Sequence, residues 1–537
     1  MGVSQEFDAI LSELGNFGPY QLRQYFFLCL ATTFQSAFCL VEQCGDENET
    51  SPFLPSWWTE AIPPGRNGGP SSCSMYEPYN NTMTTVVASS LLRAALSSSC
   101  SVSFDSSSVL TCDQWVYDGP ERTILTEFLL TCPENTWKLT FVGTINGLGR
   151  LLGLPLSGYL SDRFGRKRVL VYTLLGASML VIAQSAAPSY VFFVIFEFLA
   201  SLFVGSIYSI VFIMAMELVG PKGRVVGGGL LVCSFSFGLA VLGLIAWALR
   251  DLRYILLVIS SPGLLFVSYI WIFPESIRWL MMRGRMEEAN HLINKAAKLN
   301  KVELSEELKM KLEKAECLTD DTEEKSDPTL VALKQVLRSR TLLLRLANCC
   351  FIWVTGEFVY YGLSVNSSAL AGTENENINF ILVALVEAPG YLIVWFGMTN
   401  FGRRRTLSLA LLVGGISCFA QPFIPAEVTW AELMLYLISK ITMTGALDTT
   451  YVYTSEMFPT RLRNSLLSTC LMVGQIGTMA APQTPLMSKI SPLLPMILFG
   501  SLALVACLLS LLLPETMGTT LPDSIEEAEK VGSSSAE

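Results

Sequence analysis

The sequence is poor in histidine and in charged side chains. It has one histidine, His291, among 537 residues, and only 15% of its residues are charged. A single imidazole cannot build a histidine-based zinc site, and it gives little basis for histidine acid–base catalysis. The 36 Lys and Arg residues are outnumbered by 46 Asp and Glu, so no basic surface for nucleic acid is expected. With no nucleophile–base set and no nucleotide-binding loop, we expect no enzyme, no cofactor and no metal.

Hydrophobic residues are abundant and come in long runs. They make up 51% of the chain, and the mean hydropathy is +0.46. A helix needs about 20 apolar residues to cross a bilayer. The sequence therefore predicts an all-α membrane protein with twelve transmembrane helices. The predicted spans are Tyr25–Val41, Leu139–Leu160, Val169–Ala187, Tyr190–Met214, Val225–Leu249, Tyr254–Phe273, Leu342–Ser364, Ile378–Met398, Leu407–Ile424, Leu433–Tyr453, Ser465–Met487 and Leu493–Leu513.

Basic residues set the expected orientation. Three of them, Arg66, Arg93 and Arg122, are spread over the long first loop, whereas the short segment Asp162–Arg168 holds four. Because Lys and Arg are retained in the cytoplasm, the first loop is predicted outside and both termini inside. The predicted parts are a cytoplasmic N terminus (1–24), a first half (25–273) with an extracellular loop (42–136), a cytoplasmic helical loop (274–341), a second half (342–513) and a cytoplasmic tail (514–537).

Cysteines and glycosylation sequons agree with this orientation. An oxidising compartment permits disulfides, and five cysteines are odd in number, so one of them, such as Cys100, is expected to be free or to pair elsewhere. The disulfide candidates in the first loop are Cys44, Cys73, Cys100, Cys112 and Cys132. The glycosylation candidates are Asn48, Asn80 and Asn366.

The chain repeats itself in two six-helix halves. Three charged motifs, at Asp162, Glu217 and Pro274, recur 238 to 240 residues later. Each pair places arginines and acids at the predicted cytoplasmic helix ends, where Arg–carboxylate pairs are expected to act as a gate that breaks on rocking, rather than as topology anchors alone. The gating candidates are Asp162, Arg163, Arg166, Glu217, Arg224, Glu275, Arg278, Arg403, Glu456, Arg461 and Glu515.

These motifs carry a family resemblance. The segment Gly158–Lys167 is similar to the loop signature of the major facilitator superfamily, and Pro274–Leu280 and Leu513–Thr516 resemble signatures of its sugar porters and organic ion transporters. With the long first loop, Asp113–Asp118 and Thr126–Phe128 resemble the organic cation, anion and zwitterion transporter family.

The resemblance implies a twelve-helix alternating-access carrier in the plasma membrane. It implies a central cavity lined by the first, fourth, seventh and tenth helices, and six loop cysteines where this chain has five. Asn400 stands where the family's second-half motif often has Asp, and Phe401 where it often has Arg. Gln475 occupies the position where cation carriers tend to have Asp and anion carriers Arg.

Charged residues within spans indicate the binding site, because they are costly in hydrocarbon and usually face a wet cavity. Four acids against two bases favour a positively charged substrate. These residues are Arg150, Glu197, Glu357, Glu387, Lys440 and Asp448. Helical spacing predicts one polar stripe on the tenth span and another on the seventh, both expected to line water. The stripe of the tenth span is Lys440, Thr444, Asp448, Tyr451 and Ser455, and that of the seventh is Trp353, Glu357, Tyr360 and Ser364.

Aromatic faces attract organic ammonium groups. The expected substrate-binding residues are Asp448, Glu387, Glu357, Tyr208, Phe212, Trp353, Tyr360, Tyr451 and Gln475.

Several roles stay open. Asp448 is expected either to bind substrate or to pair with Lys440 or Arg150. Arg150 is expected to pair with Glu197 or to bind an anion, and Tyr361 is expected to pack outside the site.

The predicted function is polyspecific secondary transport of small organic cations or zwitterions, such as carnitine-like or amine compounds. The alternatives are an organic anion carrier and a ligand-sensing receptor that does not transport. A coupled proton or sodium ion stays open. The expected partners are the lipid bilayer and a small organic ion, and no nucleic acid.

Overall fold

The computed structural model of the protein describes most of its helical residues. The described residues are 10–11, 13–15, 17–39, 74–78, 104–111, 122–220, 223–305, 339–367, 376–425, 428–459, 463–517 and 525–530. Side chains at a few further positions within these ranges, including Arg224, are not described.

Helices occupy all the predicted spans, and we number them in chain order. In the first half they are α1 (Pro19–Cys39), α2 (Thr136–Phe164), α3 (Arg166–Ser185), α4 (Tyr190–Leu218), α5 (Arg224–Leu249) and α6 (Leu252–Ile272). In the second half they are α7 (Arg340–Val365), α8 (Glu376–Leu385 and Glu387–Asn400), α9 (Arg403–Ala420), α10 (Thr429–Met457), α11 (Arg463–Ala480) and α12 (Leu494–Ser510). Within the described residues, eight helical segments are long and apolar enough to cross a membrane, so the count of twelve spans stays a prediction.

Each half has its own hydrophobic core. One joins apolar residues of α1–α6 and the other those of α7–α12, with Phe380 and Ala384 of α8 reaching into the first core. The same helix pairs pack in each half: α2 on α4 as α8 on α10, α3 on α4 as α9 on α10, and α1 on α5 as α7 on α11. The halves meet where α2 packs on α11 and α5 on α8. The internal repeat is therefore visible in the packing.

Prolines interrupt several helices. In α6 a 3₁₀ segment, Ser261–Ser268, begins at the residue before Pro262, and α11 passes into another at Ala481–Gln483, which contains Pro482. The break in α8 falls at Val386, three residues before Pro389. Proline lacks the N–H that a helix interior uses, which explains these changes. The α8 break places Glu387 at the start of a helical segment that faces the cavity described below.

Part of the predicted extracellular loop is described. Ser74–Pro78 and Phe104–Thr111 form an antiparallel two-stranded sheet. The short helix Ile124–Glu127 follows, and Glu127 forms an ion pair of 2.6 Å with Arg253 at the start of α6. Cys132, one of the disulfide candidates, is disulfide-bonded.

Helices of the predicted cytoplasmic loop form a third apolar cluster with the N-terminal segment. Two helices, Ile277–Met282 and Met286–Asn300, bury apolar residues against Ile10, Leu11 and Leu14. The Asn300 amide fixes this contact, because Oδ1 accepts from the Tyr20 backbone N–H and Nδ2 donates to the Leu14 carbonyl.

One glycosylation candidate is disfavoured by its geometry. The Nδ2 atom of Asn366 donates to the Gly362 carbonyl at 2.7 Å and to Thr484 Oγ1 at 2.8 Å. Both amide hydrogens are therefore used within the described fold, and a glycan on this nitrogen would replace one of the two hydrogen bonds. Several other predicted site residues lie outside the described residues. They are the glycosylation candidates Asn48 and Asn80, the disulfide candidates Cys44, Cys73, Cys100 and Cys112, and the gating candidate Arg461.

Candidate functional site

A cavity of about 190 Å³ lies between the two halves. Eight helices line it, namely α1, α2, α4, α5, α7, α8, α10 and α11, so the expected first, fourth, seventh and tenth helices are joined by four others. The expected binding residues on its wall are Tyr208, Trp353, Glu357, Tyr360, Glu387, Asp448, Tyr451 and Gln475. Further lining residues include Gln35, Arg150, Ser209, Phe235, Tyr361 and Thr444.

Aromatic rings close one end of the cavity. Phe212 of α4 lies behind Tyr208, with ring centroids 6.2 Å apart, and contacts Tyr451 of α10 at 4.5 Å. Trp353 of α7 packs edge-on against Tyr451 at 5.8 Å. Because α4 belongs to the first half and α10 to the second, the Phe212–Tyr451 contact joins the halves on the predicted cytoplasmic side of the cavity.

Asp448 faces the cavity one helical turn from Tyr451. It lies on α10 with Thr444, four residues earlier, and both side chains line the cavity, as the polar stripe predicts. Asp448 Oδ2 is buried and no described protein group hydrogen-bonds to it. A buried carboxylate oxygen without a donor is unfavourable, so this position favours a positively charged or hydrogen-bonding ligand.

Lys440 pairs with Glu387 and not with Asp448. The Lys440 Nζ atom lies 3.0 Å from Glu387 Oε1, and both side chains are 1% exposed. Nζ also donates to Ser364 Oγ at 2.6 Å and lies 3.5 Å from the Tyr360 ring centroid. The expected Lys440–Asp448 pair is therefore wrong, because Lys440 reaches across to α7 and α8.

Glu387 is fully engaged by the protein. Besides Lys440, the Tyr360 hydroxyl donates to Oε1 at 2.9 Å and the Ser236 hydroxyl to Oε2 at 3.0 Å. Glu387 thus lines the cavity but its charge is compensated, which leaves Asp448 and Glu357 as the other carboxylates on the wall.

Glu197 of α4 is buried among neutral hydrogen-bond donors. Glu197 accepts hydrogen bonds from Asn146 Nδ2 and Gln184 Nε2, both at 2.6 Å, and from Ser201 Oγ at 3.1 Å. These neutral donors occupy both carboxylate oxygens in place of the expected guanidinium of Arg150. The Arg150–Glu197 pair predicted from the sequence is therefore wrong.

Arg150 instead faces the cavity and Tyr361. Its Nη1 atom donates to the Tyr361 hydroxyl at 3.1 Å, across the boundary between the halves. Tyr361 was expected to pack elsewhere, because its neighbour Tyr360 is the residue on the predicted polar stripe of α7. Both tyrosines line the cavity, and their rings pack edge to face with centroids 5.1 Å apart.

Hydrogen bonds close the other end of the cavity. Gln483 Nε2 donates to Thr144 Oγ1 at 2.6 Å, and the Thr140 hydroxyl donates to Gln483 Oε1 at 3.2 Å. Lys489 donates to Thr136 Oγ1 at 2.7 Å. These contacts join α2 to the end of α11 on the predicted extracellular side, so the halves touch both above and below the cavity.

A charged cluster stands at the predicted cytoplasmic end of the first half. Arg166 Nη2 lies 3.0 Å from Glu217 Oε1, and the Ser276 hydroxyl donates to Glu217 Oε2 at 2.5 Å. Glu275 Oε1 accepts the backbone N–H of Lys167 at 3.0 Å and so caps the start of α3. We call these residues the first charged cluster.

The second half repeats this arrangement. Arg403 Nη2 lies 2.9 Å from Glu456 Oε1, and Thr516 Oγ1 donates to Glu456 Oε2 at 2.7 Å. Glu515 Oε1 accepts the backbone N–H of Arg403 at 2.9 Å. In this second charged cluster, as in the first, the ion pair joins two helices of the same half. Rocking of one half against the other therefore does not by itself break either pair, contrary to the expectation for these arginines.

The two clusters correct the register of the loop motif. Gly165 and Gly402 both have a positive φ, 103° and 91°, and each precedes the paired arginine. They are 237 residues apart, which aligns Phe401 with Phe164 and Thr399 with Asp162. The second half therefore has Thr399 in place of the acid, and Phe401 is not a departure from an arginine.

The remaining gating candidates lie around the first cluster. Asp162 Oδ1 is 3.8 Å from Arg166 Nη2 and its side chain is 74% exposed. Arg163 turns away and donates to the Tyr159 hydroxyl at 2.9 Å on the exposed face of α2. Arg278 is half-buried and interacts electrostatically with Glu217.

The clusters predict unequal effects of matched substitutions. We expect Arg166→Met to destabilise the protein by about 3–5 kcal/mol, because it removes the ion-pair partner of the buried Glu217 carboxylate and leaves only Ser276 and the more distant charge of Arg278 beside it. Arg403→Met is expected to cost about 1 kcal/mol, since the Arg403–Glu456 side chains are 25% and 18% exposed against 8% and 7% for Arg166–Glu217. Thermal unfolding of the purified protein measures both, and equal shifts in Tm would contradict the difference.

A family model describes most of this chain. Residues 94–528 match the model for the sugar (and other) transporter family. The chain belongs to this transporter family. The match covers α2–α12, both charged clusters and the cavity wall apart from Gln35 of α1.

Full-length relatives refine the assignment. The organic cation transporter protein of Drosophila melanogaster is 33% identical, with 98% of this chain and 95% of the relative covered. The human organic cation/carnitine transporter 2 is 30% identical, with 98% and 94% covered. The chain is thus a member of the organic cation, anion and zwitterion transporter family, as its motifs predict, and a membrane transporter instead of an enzyme.

A solved structure confirms the fold class. The partially occluded inward-open xylose transporter XylE from E. coli aligns with a TM-score of 0.59 at 16% identity, covering 93% of this chain and all of XylE. At this identity the likeness shows the major facilitator fold alone.

Proposed function

We propose that the protein carries small organic cations across the plasma membrane by alternating access, with both termini in the cytoplasm. The single observation that carries the proposal is Asp448, a carboxylate that faces an aromatic-lined cavity between the halves. Relatives named as organic cation and organic cation/carnitine transporters support the same substrate class.

The cavity chemistry suits a substrate with an ammonium group. Tyr208, Trp353 and Tyr451 present aromatic surface close to Asp448. Each ring face attracts such a cation by about 0.5–2 kcal/mol without demanding one hydrogen-bond geometry, which fits polyspecific binding. The carboxylate adds selection by charge.

The charge balance disfavours an organic anion carrier. Of the two bases that such a carrier would use, Lys440 is already paired with Glu387, and it does not reach the cavity wall among the described residues. The three acids on the wall outnumber its one base, Arg150.

Uptake by the full chain in proteoliposomes tests the proposal. We expect tetraethylammonium to enter, and an inside-negative potential of about 60 mV to drive about tenfold accumulation if the charge moves uncompensated. A response to a proton or sodium gradient in place of the potential would identify a coupled ion. An aromatic carboxylate such as p-aminohippurate is the control, and uptake of this anion without the cation would contradict the proposal.

A further inference from the structure

Arg150 gives the cavity a positive pole that the cation proposal does not use. The side chain is 5% exposed and lies near the middle of α2, with its guanidinium 5.6 Å from the Tyr361 ring centroid. Gly205 of α4 makes room for it, because a Cβ at this glycine would lie 2.9 Å from the Arg150 Cα. The helices therefore hold this cation at a fixed place on the wall.

The positive and negative poles lie at different levels of the cavity. Tyr361, which binds Arg150, and Trp353, which packs on Tyr451, are about 12 Å apart along α7. Asp448 lies one turn from Tyr451. Arg150 thus stands toward the predicted extracellular end and Asp448 toward the cytoplasmic end, so one elongated ligand can reach both.

Guanidinium chemistry fits a carboxylate ligand. An arginine carries five N–H donors in a planar fork and binds a carboxylate through two parallel hydrogen bonds. Glu357 faces the same cavity and interacts electrostatically with Arg150, while its Oε2 accepts from Thr478 at 3.3 Å. An incoming carboxylate would therefore share the guanidinium with this internal acid.

We propose that Arg150 receives the carboxylate of a zwitterionic substrate whose ammonium group binds at Asp448. The inference rests on the proposed function for its cationic end and adds a specificity-determining residue on α2. Gln475 of α11 is a neutral amide at the position where anion carriers of the family tend to have Arg. Arg150 of α2 would supply the positive charge that α11 lacks.

A matched pair of substrates tests Arg150. γ-Trimethylammoniobutyrate and its methyl ester share the ammonium group and differ in the carboxylate charge. In proteoliposomes we expect wild-type protein to transport the zwitterion with the higher kcat/KM. Arg150→Gln is expected to lower kcat/KM for the zwitterion at least about 10-fold, the effect of losing a charged hydrogen bond, and to change that for the ester less than about 2-fold.

Three outcomes would overturn the assignment. The first is wild-type transport of the ester at least as efficient as that of the zwitterion, a measurement that needs no variant. The second is an equal loss of both substrates in Arg150→Gln, which would make Arg150–Tyr361 a contact between the halves only. The third, which decides the case if Arg150→Gln fails to fold, is an equal loss of transport of both substrates in Arg150→Lys, which keeps the positive charge but not the planar fork.

The failure of this inference is distinguishable from failure of the cation proposal. If tetraethylammonium enters and the zwitterion does not, only the role of Arg150 is wrong. If neither tetraethylammonium nor the ester enters protein that is folded by size-exclusion chromatography, the cation proposal is wrong as well.

Discussion

Asp448→Asn is expected to lower kcat/KM for tetraethylammonium at least about 30-fold, with the protein still folded. The substitution keeps the shape of the side chain and removes its charge, and losing one partner of a buried charge pair costs about 2 kcal/mol or more. Because Asp448 Oδ2 has no hydrogen-bond donor among the described residues, the neutral amide should not destabilise the fold. Initial uptake rates over a range of substrate concentrations measure the effect.

Gln475 offers a matched rescue for this variant. It lines the same cavity from α11, and its Oε1 atom is buried without a described hydrogen-bond partner. Adding Gln475→Asp to Asp448→Asn should restore part of the cation uptake, since it returns one carboxylate to the wall. Unchanged cation uptake in Asp448→Asn would show that this carboxylate does not select the substrate.

Lys440→Met is expected to destabilise the protein by about 3–5 kcal/mol, because it leaves Glu387 buried without its cation. Both side chains are 1% exposed in the native pair, so little solvent reaches the ion pair while it is intact. The double variant Lys440→Met/Glu387→Gln should recover most of the lost stability, since it removes both charges. Size-exclusion chromatography in detergent measures the yield of folded protein for each variant, and thermal unfolding of that protein measures its Tm.

Lys440→Arg is the matched control for this prediction, since it keeps the charge beside Glu387 while changing the shape. If Lys440→Met were as stable as the wild-type protein, Glu387 would not depend on this partner. Its carboxylate would then be available to a substrate cation, and the assignment of charge selection to Asp448 would need revision.

The helices were predictable because their signal is local. Runs of about 20 apolar residues gave each helix to within several residues, and the polar stripe of α10 correctly placed Thr444, Asp448 and Tyr451 on one face. The spacing of residues along a helix fixes which side chains share a face, without knowledge of its neighbours. The cavity wall could therefore be anticipated one helix at a time.

The partners of charged residues were not predictable in the same way. Lys440 pairs with Glu387 of α8, and Arg150 turns to Tyr361 of α7, because these contacts depend on how separate helices pack. Four acids and two bases allow many pairings, and no spacing rule chooses among them. The sequence prediction also aligned the second loop motif with the first one residue out of register, because it matched Asn400 to Asp162. The shared positive φ of Gly165 and Gly402 gives the correct alignment.

The distribution of contacts between the halves has a consequence for turnover. The described ion pairs are internal to each half, whereas the extracellular closure uses hydrogen bonds. Those of Thr140, Thr144 and Gln483 are neutral, and Lys489 donates one more to Thr136. Such neutral hydrogen bonds contribute about 0.5–1.5 kcal/mol each, and water can replace them as they open. Because the described ion pairs lie within the halves, each half can move as an internally rigid body while hydrogen bonds between the halves exchange with water.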